Sequence, residues 1–413
     1  MPFWLILAWA AFDITPAELQ VRLQEGTAAL EHNDLPKAEA VFEELTKINA
    51  DNAAAWLLLA RAYAKDKKTQ QAGEAAKKAE LTRGSDPKIL QHLAEFYATV
   101  APDPGKAADF GTRYAAQAPE DTTAWRRLAA FCLQAGMSDR AIAAGTRGLS
   151  VDDSAELHTI LGNAYLQQRD WTNAVIQMNS AVKRNQYSED AHYQLARVYL
   201  RQPDFASAAR VLEDARKIFD RSAQIELALG VAYYGQRKFA EAVDRFLKTM
   251  QLAPDVPQPY IFVSRIMDHA NDRIPELMAQ FTAFQERNPK SNLGYLLHAK
   301  AIVAKLPSSG FPAEAQAAFD LVQKSLSLKE DAADSHYLLG LLLERKGQYE
   351  ASARELERSV QLNANDPAVH YRLARVYSRL GRKAESEQQR ALHQKLSAEE
   401  NNPVNLPAPG SLK

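Results

Sequence analysis

The sequence predicts an all-α protein made of stacked helix pairs, about eleven of them, and three observations predict it. First, a nine-residue segment recurs. AWLLLARAY at 55–63 returns as ILQHLAEFY at 89–97, AWRRLAAFC at 124–132, LHTILGNAY at 157–165, AHYQLARVY at 191–199, IELALGVAY at 225–233, SHYLLGLLL at 335–343 and VHYRLARVY at 369–377. The closing residues Tyr63, Tyr97, Cys132, Tyr165, Tyr199 and Tyr233 step by 34, 35, 33, 34 and 34, and a fixed period of this size marks a stacked array. Second, each segment holds a Leu followed by Ala or Gly, as in Leu59-Ala60 and Leu229-Gly230, within apolar residues at helical spacing. About twelve residues later comes another small residue, such as Ala174 or Ala242, and four beyond it a bulky one, such as Met178 or Phe246. This is a second helix, whose small residue lets two backbones approach. Third, the Val/Ile/Thr alternation of strands is absent.

The elements follow in order. Met1 to Phe12 is uncharged and nearly all apolar. It is too short for a bilayer span of about 20 residues, but it suits the apolar region of a signal peptide, with Ala8-Trp9-Ala10 as the cleavage site. Export, to a bacterial periplasm or beyond, is therefore expected ahead of a cytoplasmic location. Thr15-Pro16-Ala17-Glu18 is a capping box with Pro at the first helical position. Regular helix pairs fill 19–256, separated by clusters such as Ser85-Asp86-Pro87, whose Asp caps the next helix. Residues 257–332 are irregular: Ser264 stands at the small position, Ile274-Pro275 interrupts the start of the second helix, and Leu306 to Pro312 forms an inserted turn. Regular pairs resume over 333–400, where the polar run Glu385–Arg390 suits a terminal cap. Residues 401–413 read as a flexible tail.

Apolar residues make up 46% of the 413 and charged ones 24%, which is a chain that buries a core. A net charge of −1 argues against a phosphate-backbone binder. Cys132 is the single cysteine, so no intramolecular disulfide or paired-cysteine metal site can form; as a small hydrophobe it belongs in the core. No HExxH, GxxxxGK[ST], GxGxxG or GxSxG motif occurs. His158, His192, His336 and His370 share one place in the repeat, without a carboxylate or thiol at ligand spacing, and read as packing residues. Neither a catalytic group, nor a cofactor, nor a metal is expected.

Trp56, Leu59, Ala60, Tyr63 and Ala72, and again Leu229, Gly230, Tyr233, Ala242, Phe246 and Pro254, fall as in the tetratricopeptide repeat, and the chain from 19 to 400 resembles that family. The resemblance implies a right-handed α-solenoid whose inner groove, lined by the first helix of each pair, holds peptides or extended partner segments. In such proteins the fifth, ninth, twelfth and thirteenth residues of a repeat face the groove. Here those places hold Asn163, Tyr193, Arg197, Arg201 and Tyr234, the expected partner-binding residues. The groove that clamps a chaperone C-terminal carboxylate is not matched: Asn163 fits, but Thr159 replaces its Lys. The expected function is a non-catalytic scaffold for a protein or peptide partner, with self-association through terminal repeats open. An accessory or assembly role in an envelope or glycosyl-transfer system is the alternative.

Overall fold

A computed structural model describes residues 15–83, 86–307 and 310–400. The apolar leader at 1–12, the tail at 401–413, Ser85 of one capping cluster, and Ser308 and Ser309 of the inserted turn lie outside the described residues. Among the described residues there are twenty-two α-helices and no strand. Two compact units divide the chain between Gln186 and Tyr187.

The N-terminal unit contains α1 (Pro16–Glu31), α2 (Leu35–Ile48), α3 (Ala53–Lys65), α4 (Thr69–Arg83), α5 (Pro87–Thr99), α6 (Pro104–Gln117), α7 (Thr122–Gln134), α8 (Ser138–Leu149), α9 (Ala155–Gln167) and α10 (Trp171–Arg184). The C-terminal unit contains α11 (Glu189–Arg201), α12 (Phe205–Ile218), α13 (Ala223–Gly235), α14 (Phe239–Leu252), α15 (Gln258–Arg265), α16 (Ile274–Arg287), α17 (Asn292–Lys305), α18 (Ala313–Leu328), α19 (Ala333–Arg345), α20 (Tyr349–Leu362), α21 (Pro367–Arg379) and α22 (Lys383–Glu400). Odd-numbered helices are the first of each pair and even-numbered the second.

Local chemistry starts many of the helices. The capping box is present: Thr15 accepts from the Glu18 amide, and Glu18 accepts from the Thr15 amide at 2.9 Å. Asp34, Asn52, Asp103, Ser188 and Asp204 cap later helices in the same way, each satisfying an amide that the helix itself leaves unpaired. Between the two helices of a pair one residue turns left-handed: Gly136, Gly347 and Gly381 do so freely, while Arg169 and Arg237 are held at φ 61° and 59°.

Pairing rests on the small positions. A Cβ on Gly162 would lie 2.8 Å from Met178, one on Gly230 2.6 Å from Phe246, and one on Gly340 2.7 Å from Leu356. In every case the bulky residue lies sixteen positions later, on the second helix. Successive pairs are joined by tyrosines. Tyr63 donates to Glu43 at 2.7 Å and Tyr377 to Glu357 at 2.8 Å; Tyr97 and Tyr233 donate likewise to Glu80 and Glu213. Lys106 and Arg382 stand over the Tyr97 and Tyr377 rings at 4.5 and 4.1 Å. Burial first, and the acceptor carboxylate second, push these four phenols up to about 12.

The irregular segment differs from its expectation in one respect. Pro275 does not break α16 but lies in its first turn, where a missing N–H costs nothing. The irregularity falls on α15, which stops at Arg265 after eight residues and gives way to short 3₁₀ turns at Met267–His269 and Asn271–Arg273. The largest core of the C-terminal unit runs from Ala196 to Ala301 through this segment, with Phe246 and Phe262 stacked at 5.2 Å and Tyr260 fully buried.

Candidate partner-binding face

Helix α11 carries three of the five expected residues. Ser188 caps it, and Leu195, Ala196 and Val198 bury its inner side. Tyr193, Arg197 and Arg201 then recur at four-residue spacing on one face, about 6 Å apart along the axis. Tyr193 and Arg197 are half-buried and Arg201 is exposed. Burial first, then the Arg201 guanidinium one turn away, pulls the Arg197 pKa below the ordinary arginine range, against the pull of Tyr193 and Asp190. Asp190 itself accepts from Gln194 at 3.0 Å.

Tyr234 lies on α13 at the twelfth place of its repeat. Its ring packs edge-on to Phe239 and Phe262, at 6.0 and 5.5 Å, and it rests on the same core cluster as Tyr193. The structure thus seats both tyrosines on one platform, with the arginines beside Tyr193. Asn163 falls in the N-terminal unit, half-buried on α9 between the buried Gly162 and Ala164.

Several other cations of the first helices pair with carboxylates. In the N-terminal unit Arg61 lies 3.5 Å from Glu95, and Arg127 also binds that carboxylate. Burial pushes Glu95 up, but the Gln91 hydrogen bond and the charges of Arg127 and His92 outweigh it and hold the carboxyl low. In the C-terminal unit Lys300 binds Asp334 at 2.9 Å, and its charge is the main reason that Asp334 sits below the usual carboxylate range. Glu344 takes both Arg372 at 3.5 Å and Arg375 at 3.3 Å. Among the described residues no ion pair forms at Arg201, Arg265 or Arg379.

The sequence profile of the tetratricopeptide repeat matches residues 23–87, 193–257, 308–368 and 337–395, more than half of the chain. The chain belongs to the tetratricopeptide-repeat family. Among solved structures it is similar to the MamA protein (22% identity, TM-score 0.37, covering 41% of this chain and 92% of that one). It is also similar to YrrB, described as a tetratricopeptide protein with an unusual peptide-binding site (17%, 0.36, covering 45% and 95%). A chain of the APC/C hetero-tetramer Cut9–Hcn1 matches along most of both lengths (12%, 0.43, covering 95% of each). No curated protein matches.

As a tetratricopeptide-repeat protein the chain is a protein-interaction scaffold, and its repeat-phased histidines serve the architecture. The four repeat-phased histidines are buried. His158, His336 and His370 each bond a second-helix residue nineteen positions on, Gln177 at 2.6 Å, Glu355 at 2.7 Å and Gln389 at 2.5 Å. His192 bonds the Ser188 carbonyl at 3.0 Å and packs edge-on to Phe219. Among the described residues no three His, Cys, Asp or Glu side chains form a metal-ligand set, and Cys132 is fully buried. No described helix is long and apolar enough to cross a membrane. Sequence reasoning missed the charge pairs of the face, although Arg61–Glu95 and Lys300–Asp334 both lie 34 residues apart, one full period, which is a readable signal.

Proposed function

We propose that the first-helix face of the C-terminal unit, centred on Tyr193, Arg197, Arg201 and Tyr234, holds an extended segment of a partner protein. The observation that carries this reading is the α11 strip: two guanidinium groups one turn apart beside a tyrosine seated on the core. The repeat does not fix these residues, because α13 carries Leu227, the buried Val231 and Gly235 at the same three places. A rigid strip of this kind adds affinity by lowering the ordering cost of binding, with the ring giving flat contact area and each guanidinium a fork for an acceptor. Asn163 occupies the corresponding ninth place on the N-terminal unit and is read as a polar contact for a partner of that unit's own face.

The test is partner capture in the source cell by the full chain and by the variant Tyr193→Ala, Arg197→Ala, Arg201→Ala, with far-ultraviolet circular dichroism on both. Loss of capture at unchanged helicity supports the face, and undiminished capture overturns it. Export belongs to the same proposal. Protein recovered from the host envelope should begin after Ala10, and a start at Met1 would contradict cleavage.

A further inference from the structure

One first helix repeats the strip. Residues 191–201 read AHYQLARVYLR and 369–379 read VHYRLARVYSR, so Tyr193, Arg197 and Arg201 correspond to Tyr371, Arg375 and Arg379 on α21. Leu195, Ala196 and Val198, like Leu373, Ala374 and Val376, are core residues whose identity stacking explains. Tyr193 packs on the core cluster and the Tyr371 ring lies 5.4 Å from that of His393 on α22, but stacking does not explain the two shared arginines. On α21 that strip is open: Tyr371 is 46% exposed, Arg375 and Arg379 are exposed, and the Arg375 guanidinium lies 5.9 Å from the centre of the Tyr371 ring.

We infer that α21 carries a second copy of the α11 site, and that both copies take an extended acidic segment in which one aromatic residue and two carboxylates alternate with outward-facing residues. The inference rests on the reading of α11 given above. Charge supports it: the first helices of the C-terminal unit hold nine Lys and Arg against five Asp and Glu, while its second helices hold twelve against fifteen. One carboxylate, Glu344, serves both Arg372 and Arg375, so α21 keeps a positive surplus that Arg379 increases. Spacing sets the peptide pattern. Residues four apart on a helix are about 6 Å apart along its axis. Alternate residues of an extended chain point the same way at about 6.6 Å. An aromatic–x–acid–x–acid segment therefore lies along Tyr–Arg–Arg with each carboxylate opposite a guanidinium, a pairing that forms charge-assisted and often bidentate hydrogen bonds.

The test is calorimetric titration of the full chain with the peptide Gly-Trp-Ser-Glu-Ser-Glu-Gly, beside a control peptide with Gln in place of both Glu. The expected stoichiometry is two peptides per chain. Arg375→Glu with Arg379→Glu should leave one, Arg197→Glu with Arg201→Glu should also leave one, and the Gln peptide should bind at least about tenfold more weakly. If the α21 variant still binds two while the α11 variant binds fewer, or if the unaltered chain binds one that only the α11 variant removes, the second site is refuted and the α11 reading stands. Binding of the peptide that neither variant alters overturns both. Equal binding of the Gln peptide, or tighter binding of a single-stranded RNA oligomer, refutes an acidic peptide as the occupant. Should the charge-reversed chains lose their helical signal, Arg375→Gln with Arg379→Gln gives the same stoichiometric readout.

Discussion

The two compact units are built from one repeat and differ in what they do with the positions that stacking leaves over. First helices of the N-terminal unit carry six cations against five acids, and its ninth-place Arg61 is held with Arg127 on Glu95. First helices of the C-terminal unit carry nine against five, and α11 sets two guanidinium groups one turn apart with no carboxylate paired to Arg201 among the described residues. Positions common to both units, the small residue and the bulky one sixteen places later, report the fold. Positions at which the units differ report use.

The comparison can be broken most severely by dividing the chain. Each unit has its own buried clusters, so fragments ending at Gln186 and beginning at Tyr187 should each be helical and melt cooperatively. The repeat period alone treats Val256 as an ordinary boundary and predicts a soluble, helical fragment there, since repeat stability is nearly a nearest-neighbour sum. The structure argues otherwise: ending the chain at Val256 removes Tyr260, Phe262 and Phe281 from the core that Phe246 and Met250 share, so that fragment should aggregate. Size-exclusion chromatography and thermal melts decide between these outcomes.

Within the C-terminal core, Phe246→Ala should cost about 3–5 kcal/mol, because the ring is fully buried against Gly230 and Phe262. Gly230→Ala should cost about 1–3 kcal/mol by overpacking the same contact; denaturant unfolding measures both. Charge reversal sharpens the contrast between faces. Arg197→Glu with Arg201→Glu should weaken partner capture at least about a hundredfold, at about 1.5–3 kcal/mol per charged hydrogen bond lost, while Arg61→Glu should leave it unchanged.

A smaller effect tests the tyrosine ladder. The folded phenols lie near 12, above their ordinary value near 10. Stability from these bonds is therefore complete below pH 10 and is lost as pH rises toward 12. Each ladder tyrosine should contribute on the order of 1 kcal/mol to that loss, and Tyr377→Phe should flatten the alkaline limb of a stability–pH curve. Smallest of all, Arg169→Gly and Arg237→Gly should each stabilise their unit by about 0.5–1 kcal/mol, since both residues hold left-handed backbone.

Much of the fold was legible because stacking constrains it. Many helix starts follow from Asp, Asn and Ser caps, and the small–bulky pairing from a spacing of sixteen. Division at Gln186/Tyr187 was not legible, since Tyr165 and Tyr199 keep the 34-residue step across it. Nor was the tyrosine ladder: it pairs Tyr63 with Glu43 and Tyr377 with Glu357, twenty residues back on the preceding second helix, whereas helical patterns show contacts three or four apart. The site was legible as a set of places in the repeat. Which cations are paired depended on carboxylates one period away, such as Glu95 for Arg61 and Asp334 for Lys300, and so on how adjacent helices align.

The central claim is that a partner lies along the first helices of the C-terminal unit. A photo-crosslinking amino acid placed at Tyr193, and in a separate protein at the second-helix residue Leu328, which is 36% exposed, tests it most directly in the source cell. A discrete adduct from position 193 and none from 328 is the expected result. An adduct from 328 with none from 193 would contradict it.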